Sequence, residues 1–280
     1  MKLQIKKQTL VQVVSLVLIF FFLYHKAIAK LVSDWYVDPN FSHGFLIPFV
    51  ALYMVWYKKN EISQIECSPS NAGLIIVIFG MMLHVVGNIG SELFTMRFSM
   101  IVTLAGIIVY FYGWSMFRAV LVPVAYLIMM IPIPAIIWNK IAFPLQLFAA
   151  GLSSRAIALL GIPVFREGNI LHLANTSLEV IDACSGLRSL TSLLALTGAF
   201  AFLAPLSTFK KWILFFSAIP IAVTVNVIRL TITGAMAAWI SPDTAHGFLH
   251  DMSGLIIFGA ALLLVYIVFI IAMKLEKIKR

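Results

Sequence analysis

The sequence predicts an all-α polytopic membrane protein. Of the 280 residues, 62% are hydrophobic and only 11% are charged. The mean hydropathy of +1.02 is far above that of a soluble globular domain. Apolar stretches long enough to cross a bilayer recur along the whole chain. We therefore expect one integral membrane domain over residues 1–280.

Eight stretches are predicted to span the membrane. They are residues 9–29, 43–57, 72–90, 97–113, 118–137, 185–205, 212–239 and 250–273. The second stretch is short and the seventh is long. The basic start, Met1–Lys7, followed by an apolar run, resembles a signal peptide, but no clean small-residue cleavage site follows it. We interpret this segment as a retained first span.

The basic residues predict that both termini are cytoplasmic. With the N-terminus inside, the cytoplasmic segments carry 12 of the 20 Lys and Arg residues but only 3 of the 11 Asp and Glu residues. The formal net charge of +9 therefore falls on one face of the membrane, in agreement with the positive-inside rule. We attribute the basic excess to topology and anionic lipid headgroups and infer no nucleic-acid binding.

One external segment, about 138–184, is long. It follows Ile131-Pro-Ile-Pro134, whose prolines should end or kink the fifth helix. Residues 144–160 are moderately apolar and predict an interfacial helix, with a ninth span as the alternative. Turn-forming residues at Gly168-Asn169 and at Asn175-Thr-Ser177 separate short β-branched runs, which predicts a small external β-hairpin. The hairpin leads directly to Cys184.

Three chemically distinct side chains are expected near the outer surface of the membrane. Cys184 lies at the outer end of the sixth span, and His250 opens the eighth. Arg229 lies in the seventh, 17 residues after Trp212, which places it roughly 25 Å up a core about 30 Å thick. A thiol, a guanidinium and an imidazole from three helices should thus share one layer.

Cys184 is the candidate nucleophile. The other cysteine, Cys67, is predicted on the opposite side of the membrane, so an intrachain disulfide is excluded, and two thiols are too few for a zinc site. A thiolate becomes a strong nucleophile when a nearby cation or base lowers its pKa. His250 could accept the thiol proton and later protonate a leaving amine. Arg229 could stabilise an oxyanion or hold a carboxylate.

Further residues could support these three. Arg188 lies four residues after Cys184 on the same helical face, where its charge would lower the thiol pKa. Asn226 lies three residues before Arg229 and could orient it. Asp251 or Asp182 could orient His250.

Other interpretations of the same residues stay open. A lone interfacial cysteine can be a small buried hydrophobe. An intramembrane arginine usually marks function, but Arg229 could also snorkel or pair with Glu179 or Asp182. His246 is a direct rival of His250, four residues away. No glycine-rich phosphate loop and no His-Glu-x-x-His motif occurs, so we assign no nucleotide, metal or other cofactor.

Three blocks of this sequence resemble the signature blocks of the exosortase/archaeosortase family in order and spacing. They are Ala183-Cys-Ser-Gly-Leu-Arg-Ser189, Asn226-x-x-Arg229 and Gly247-Phe-Leu-His-Asp-x-Ser-Gly254. Two further segments, Ser42–Pro48 and Arg166–Asn169, are similar to exosortase segments with less specificity.

The resemblance implies a membrane-embedded cysteine protease or transpeptidase. Its catalytic residues would be Cys184, Arg229 and His250, which selects His250 over His246. The implied location is the bacterial inner membrane, with the site at the periplasmic face. The implied substrates are exported proteins with a PEP-CTERM-type signal, which consists of a recognition motif such as Pro-Glu-Pro, a transmembrane helix and a basic tail. Exopolysaccharide-assembly proteins are implied partners, and either water or an amine could be the acceptor.

Two other function classes remain. A transporter or a handler of lipid-linked sugars would use Arg229 to bind an anionic substrate. Against this, the sequence shows no repeated halves or paired broken helices. A non-catalytic scaffold for envelope assembly would tolerate replacement of Cys184, Arg229 or His250.

Overall fold

The computed structural model describes residues 7–180, 187–241 and 248–278. Side chains are described at 14–180, 190–241, 254 and 256–276. The chain forms two compact units, Met1–Pro132 and Ile133–Arg280.

Unit 1 is built of helices. They are α1 (Lys7–Val37), a 3-10 helix (Pro39–Phe45), α2 (Ile47–Tyr57), α3 (Lys59–Ile62), α4 (Ala72–Ile89), α5 (Leu93–Tyr126) and a second 3-10 helix (Leu127–Met130).

Unit 2 contains helices and one small sheet. Its elements are α6 (Ala135–Leu159), β1 (Val164–Glu167), β2 (Ile170–Leu173), β3 (Ser177–Glu179), α7 (Leu187–Leu203), α8 (Thr208–Trp239) and α9 (Phe248–Ile278).

The predicted class, an all-α polytopic membrane protein, is confirmed. Six helical segments in the described residues are long and apolar enough to cross a membrane: Val14–Val37, Ala72–Ile89, Leu93–Met130, Ala135–Leu159, Thr208–Trp239 and Ile256–Glu276. The predicted spans 43–57 and 185–205 correspond to α2 and α7, of 11 and 17 residues. Both are apolar but shorter than the roughly 20 residues that a straight span needs.

The fourth and fifth predicted spans form one continuous helical run that kinks at Gly113. This residue has φ +84° and ψ 179°, a conformation that glycine alone adopts without strain. The kink falls at the predicted end of the fourth span. The helix ends at Met130 and not at 137, because the following Ile131–Pro134 segment cannot continue it. The predicted effect of these prolines is confirmed.

The segment before Cys184 is more regular than predicted. The helix expected at 144–160 starts upstream at Ala135 and runs through Pro144, so its 25 residues are long enough to span. The ninth-span alternative therefore stays open beside the interfacial one. The predicted hairpin is present, with Gly168 at φ +61° in its turn. Ser177–Glu179 adds a third antiparallel strand, giving the order β1-β2-β3.

Glycines let α4 and α5 pack closely in unit 1. Gly73, Gly80 and Gly87 recur every seven residues along α4 and are buried. A Cβ added at Gly73 would lie 2.2 Å from the backbone nitrogen of Tyr110, and one at Gly80 would lie 2.4 Å from Thr103 Oγ1. Close backbone approach through small residues is a common way for membrane helices to associate.

A buried ion pair joins α1 to α5. Arg97 is only 2% exposed, and its Nη2 lies 2.5 Å from Asp34 Oδ2. Lys30 contacts the same carboxylate at 3.0 Å but is half exposed. Further along the same two helices, the Tyr24 hydroxyl lies 2.8 Å from Thr103 Oγ1. The Arg97 charge and the Tyr24 hydroxyl thus each have a polar partner on the facing helix.

Two apolar clusters share α8 in unit 2. One lies between α7, α8 and α9 and includes Leu193, Leu214, Ala218 and Val265. The other joins α6, α8 and one face of the sheet, including Ala150, Ile157, Leu171, Leu178, Val180 and Leu230. Helix α8 is therefore the central element of this unit.

Replacement of Gly73 by Ala should destabilise the protein by about 1–3 kcal/mol, because the new Cβ would meet backbone and force α4 and α5 apart. The matched control is Gly259→Ala in α9, where nothing lies within 4 Å of an added Cβ. Unfolding free energies in detergent measure both. Equal stability of the two variants would contradict the close packing.

Replacement of Arg97 by Ala should cost about 3–5 kcal/mol, since it leaves the Asp34 carboxylate without its buried partner. Lys30→Ala removes only the more exposed pair and should cost at most about 1 kcal/mol. The same unfolding titration compares them. A larger loss for Lys30→Ala would contradict the claim that the buried pair between α1 and α5 is the stronger one.

Candidate active site

The three helices predicted to carry the site pack together in unit 2. At one end, Lys210 Nζ at the start of α8 lies 2.7 Å from Glu276 Oε2 near the end of α9. Next to it, Lys211 Nζ donates to the carbonyl oxygen of Phe202 at the end of α7, at 2.9 Å. Helix α8 therefore runs antiparallel to both neighbours. The N-terminal ends of α7 and α9 both point toward the C-terminal end of α8.

That shared end is where the sequence analysis placed the site. Helix α7 begins at Leu187, three residues after Cys184. Helix α9 begins at Phe248, so His250 is its third residue. The predicted thiol and imidazole thus lie at or just before the N-terminal ends of the two helices that flank α8.

Arg229 lies in the C-terminal half of α8 and is 9% exposed. With Asn226 it lines a small cavity between α7, α8 and α9. The remaining lining residues are apolar: Leu193, Ala222, Val225, Ile257, Phe258 and Ala261. The four α8 residues of this set follow the three-to-four spacing of one helical face. The predicted common face of Asn226 and Arg229 is confirmed.

Asn226 is buried without a described partner. It is 2% exposed, and within residues 14–180, 190–241, 254 and 256–276 neither Nδ2 nor Oδ1 has a hydrogen-bond partner. An unsatisfied buried amide is costly, so such groups usually mark a bound water, a ligand or a catalytic role. The cavity combines this amide with a guanidinium inside an apolar wall, a setting that strengthens electrostatic interactions.

The depth of the cavity constrains how Arg229 can reach His250. Ile257, which lines the cavity, follows His250 by seven residues, or about 10 Å of helix rise. A contact between the two side chains thus needs Arg229 extended along α9 toward its N-terminus.

The sheet fixes the chain shortly before Cys184. Val180 is completely buried, and its N–H donates to the carbonyl oxygen of Asn169 at 2.9 Å. Asn169 Nδ2 donates back to the Val180 carbonyl oxygen at 3.3 Å. Val180 shares its apolar cluster with Leu230, the neighbour of Arg229 on α8. The strand therefore ends beside the helix that carries the arginine.

The structure describes the predicted site residues unequally. Arg229 and Asn226 have described side chains and lie in one cavity. Arg188, His250 and Asp251 lie on the described backbone of α7 or α9, and their side chains are outside the described set. Cys184, Asp182 and His246 lie outside the described residues.

Sequence reasoning missed the other walls of the cavity and two buried hydroxyls. Leu193 from α7 and Ile257, Phe258 and Ala261 from α9 carry no chemical signal in an apolar sequence. Ser153 in α6 and Thr197 in α7 are buried, with hydroxyls that lack a partner in the described part of the chain. Among the described residues, no three His, Cys, Asp or Glu side chains gather as a metal site.

Comparison with known proteins gives one family. The family described as Transmembrane exosortase (EpsH) matches residues 35–267, a range that includes Cys184, Arg229 and His250. No curated protein and no solved structure matches the chain. Because the family match covers most of the sequence, this chain belongs to the transmembrane exosortase family.

Proposed function

We propose that this exosortase is a cysteine protease or transpeptidase that cleaves C-terminal sorting signals from exported proteins. The observation that carries the proposal is the cavity holding Arg229 and Asn226 between α7, α8 and α9. One flanking helix, α7, begins three residues after the proposed nucleophile, and the other, α9, begins two residues before the proposed base.

The first chemical step is acyl transfer to Cys184. The thiolate attacks the scissile carbonyl carbon, and the carbonyl oxygen becomes an oxyanion that Arg229 stabilises. His250 takes the thiol proton and gives it to the departing amine, so the peptide C–N bond breaks and a thioester remains. Water or an acceptor amine then attacks the thioester and releases Cys184. Both outcomes share the first step.

Supporting residues act on these three. The Arg188 charge, four residues further along the chain, would favour the thiolate form of Cys184. Asp251 orients His250. The buried Asn226 amide, one turn from Arg229, directs the guanidinium toward the reacting carbonyl or holds a substrate group in the cavity.

The proposed setting is the bacterial inner membrane. Both termini are cytoplasmic, the site faces the periplasm, and residues 1–280 act as one domain. The substrates carry a PEP-CTERM-type signal, whose recognition motif would lie just outside the membrane beside its own transmembrane helix. Exopolysaccharide-assembly proteins are proposed partners. No cofactor is needed, because thiol, imidazole and guanidinium supply the nucleophile, the proton transfer and the charge stabilisation.

Processing of a tagged exported protein with a Pro-Glu-Pro-type signal tests this function. Cys184→Ala, Arg229→Ala and His250→Ala should each reduce processing by at least about 100-fold, as loss of a nucleophile, an oxyanion donor or a general base typically does. His246→Ala should process normally. Each variant is first shown to reach normal membrane levels.

Processing that survives Cys184→Ala would overturn the thiol mechanism and favour a transporter or scaffold. Retention by Cys184→Ser alone would not separate these classes, so the alanine variant is the deciding one. Loss in His246→Ala but not in His250→Ala would reassign the base.

Asn226→Leu should separate stability from activity. Leucine removes two polar atoms that lack a described partner, so the unfolding free energy should stay equal or rise by about 1 kcal/mol. The processing rate should nevertheless fall by about tenfold or more, because Arg229 loses its polar neighbour. Thr197→Val is the matched control, since it removes a different buried polar group, the Thr197 hydroxyl of α7, which lies outside the cavity. Equal rates in the two variants would contradict a role for Asn226.

A further inference from the structure

Strand β3 forms an edge of the sheet. The strand order is β1-β2-β3, so β2 is central, and β3 pairs with β2 on one side only among the described residues. Such an edge carries backbone donors and acceptors that another extended chain can pair with.

The register shows which backbone groups are available. The Val180 N–H donates to Asn169, and the Leu173 N–H donates to the carbonyl oxygen of Thr176. Antiparallel pairs alternate, so the backbone groups of residues 176, 178 and 180 face β2. Those of Ser177 and Glu179 point away from β2. The edge thus offers two N–H and two C=O groups.

The edge is held rigidly. Leu178 and Val180 are buried at 8% and 0% exposure and pack against α8 and α6. Ser177 Oγ lies 2.8 Å from His172 Nδ1, which ties the strand to β2 on the exposed face. Binding of a partner chain would therefore lose little conformational entropy in this strand.

The opposite edge is different. Strand β1 packs beside α6, and Arg166 Nη1 donates to the carbonyl oxygen of Leu147 at 3.0 Å. The two edges are therefore not equivalent, and β3 is the better template.

We propose that the free edge of β3 binds the substrate as an added strand, through the backbone groups of Ser177 and Glu179. This inference rests on the proposed function. The segment that binds is the extended part of the substrate next to the scissile bond, because β3 ends only five residues before Cys184. Backbone pairing supplies affinity, and alternate side chains of the peptide supply specificity.

A Pro-Glu-Pro segment would suit this edge. Its two prolines lack N–H groups and alternate with a residue that has one. In an extended conformation, the central glutamate can turn its N–H and C=O toward β3 while both prolines face away. Like charges placed opposite each other repel, so this glutamate should lie beside Ser177 and not beside Glu179.

The first test removes one edge donor. Glu179→Pro deletes an outward N–H and leaves the N–H groups of Leu178 and Val180 intact. Glu179→Ala measures how much the loss of the glutamate side chain alone slows cleavage. The Glu179→Pro enzyme should cleave a peptide that carries the sorting signal about tenfold more slowly than the Glu179→Ala enzyme does. This is the effect of one lost hydrogen bond with its partner left unsatisfied. Val164→Pro, at the start of β1, should cleave at the wild-type rate.

The second test needs no change near the site. A fluorescent peptide that carries the sorting signal is N-methylated at one residue at a time, and its binding to the Cys184→Ala protein in detergent is measured. Strand addition predicts weakened binding at every second N–H-bearing residue over a short window. These penalties should persist when Glu179→Pro is added, because the variant removes a β3 donor and keeps the C=O groups that accept from the peptide N–H groups.

The outcomes are decisive. Uniform or absent N-methyl effects, or equal cleavage by Glu179→Pro and Glu179→Ala, would overturn strand addition while leaving the cysteine mechanism intact. Processing that persists in Cys184→Ala would instead overturn the proposed function. A Glu179→Pro variant that does not fold leaves the scan on unaltered β3 to decide.

Discussion

A permanent positive charge inside an apolar helix is the constraint on which unit 2 depends. Arg229 cannot lose its proton, and burial of a charge among apolar side chains is costly unless polar groups surround it. Helix α8 places Arg229 on the same cavity face as Asn226, one turn away. The ion pair of Lys210 with Glu276 and the bond from Lys211 to Phe202 fix α8 against its neighbours at the far end. The cavity with its arginine therefore lies toward the end where α7 and α9 begin.

The buried arginine of unit 1, Arg97, has different surroundings from Arg229. Arg97 is matched by the Asp34 carboxylate across two helices, and its side chain is only 2% exposed. Arg229 instead borders a cavity together with an amide that has no described partner. The Asn226 amide, which has no described partner, lowers stability, since an unsatisfied buried polar group is costly. The second arrangement is understandable if the cavity receives a group from a substrate.

Several local features were predictable because local chemistry decides them. The three-residue spacing of Asn226 and Arg229, the helix end before Pro132 and Pro134, and the Gly168-Asn169 turn each follow from a few neighbouring residues. Features that depend on distant segments were not predictable. The extension of α6 through Pro144, the third strand at Ser177–Glu179 and the α7 and α9 walls of the cavity require tertiary packing. The glycine repeat of α4 was visible in the sequence, but only its contact with α5 gives it a meaning.

The central claim is that Cys184 forms a covalent intermediate. Mass spectrometry of the enzyme trapped with a peptide that carries the sorting signal tests this claim most directly. The protein is quenched in acid during turnover, digested and searched for an acyl group on cysteine. The account predicts a hydroxylamine-sensitive thioester on Cys184, with Cys67 unmodified as the internal control. Cleavage of the peptide without any adduct on Cys184, or an adduct that maps to Cys67 instead, would contradict the account.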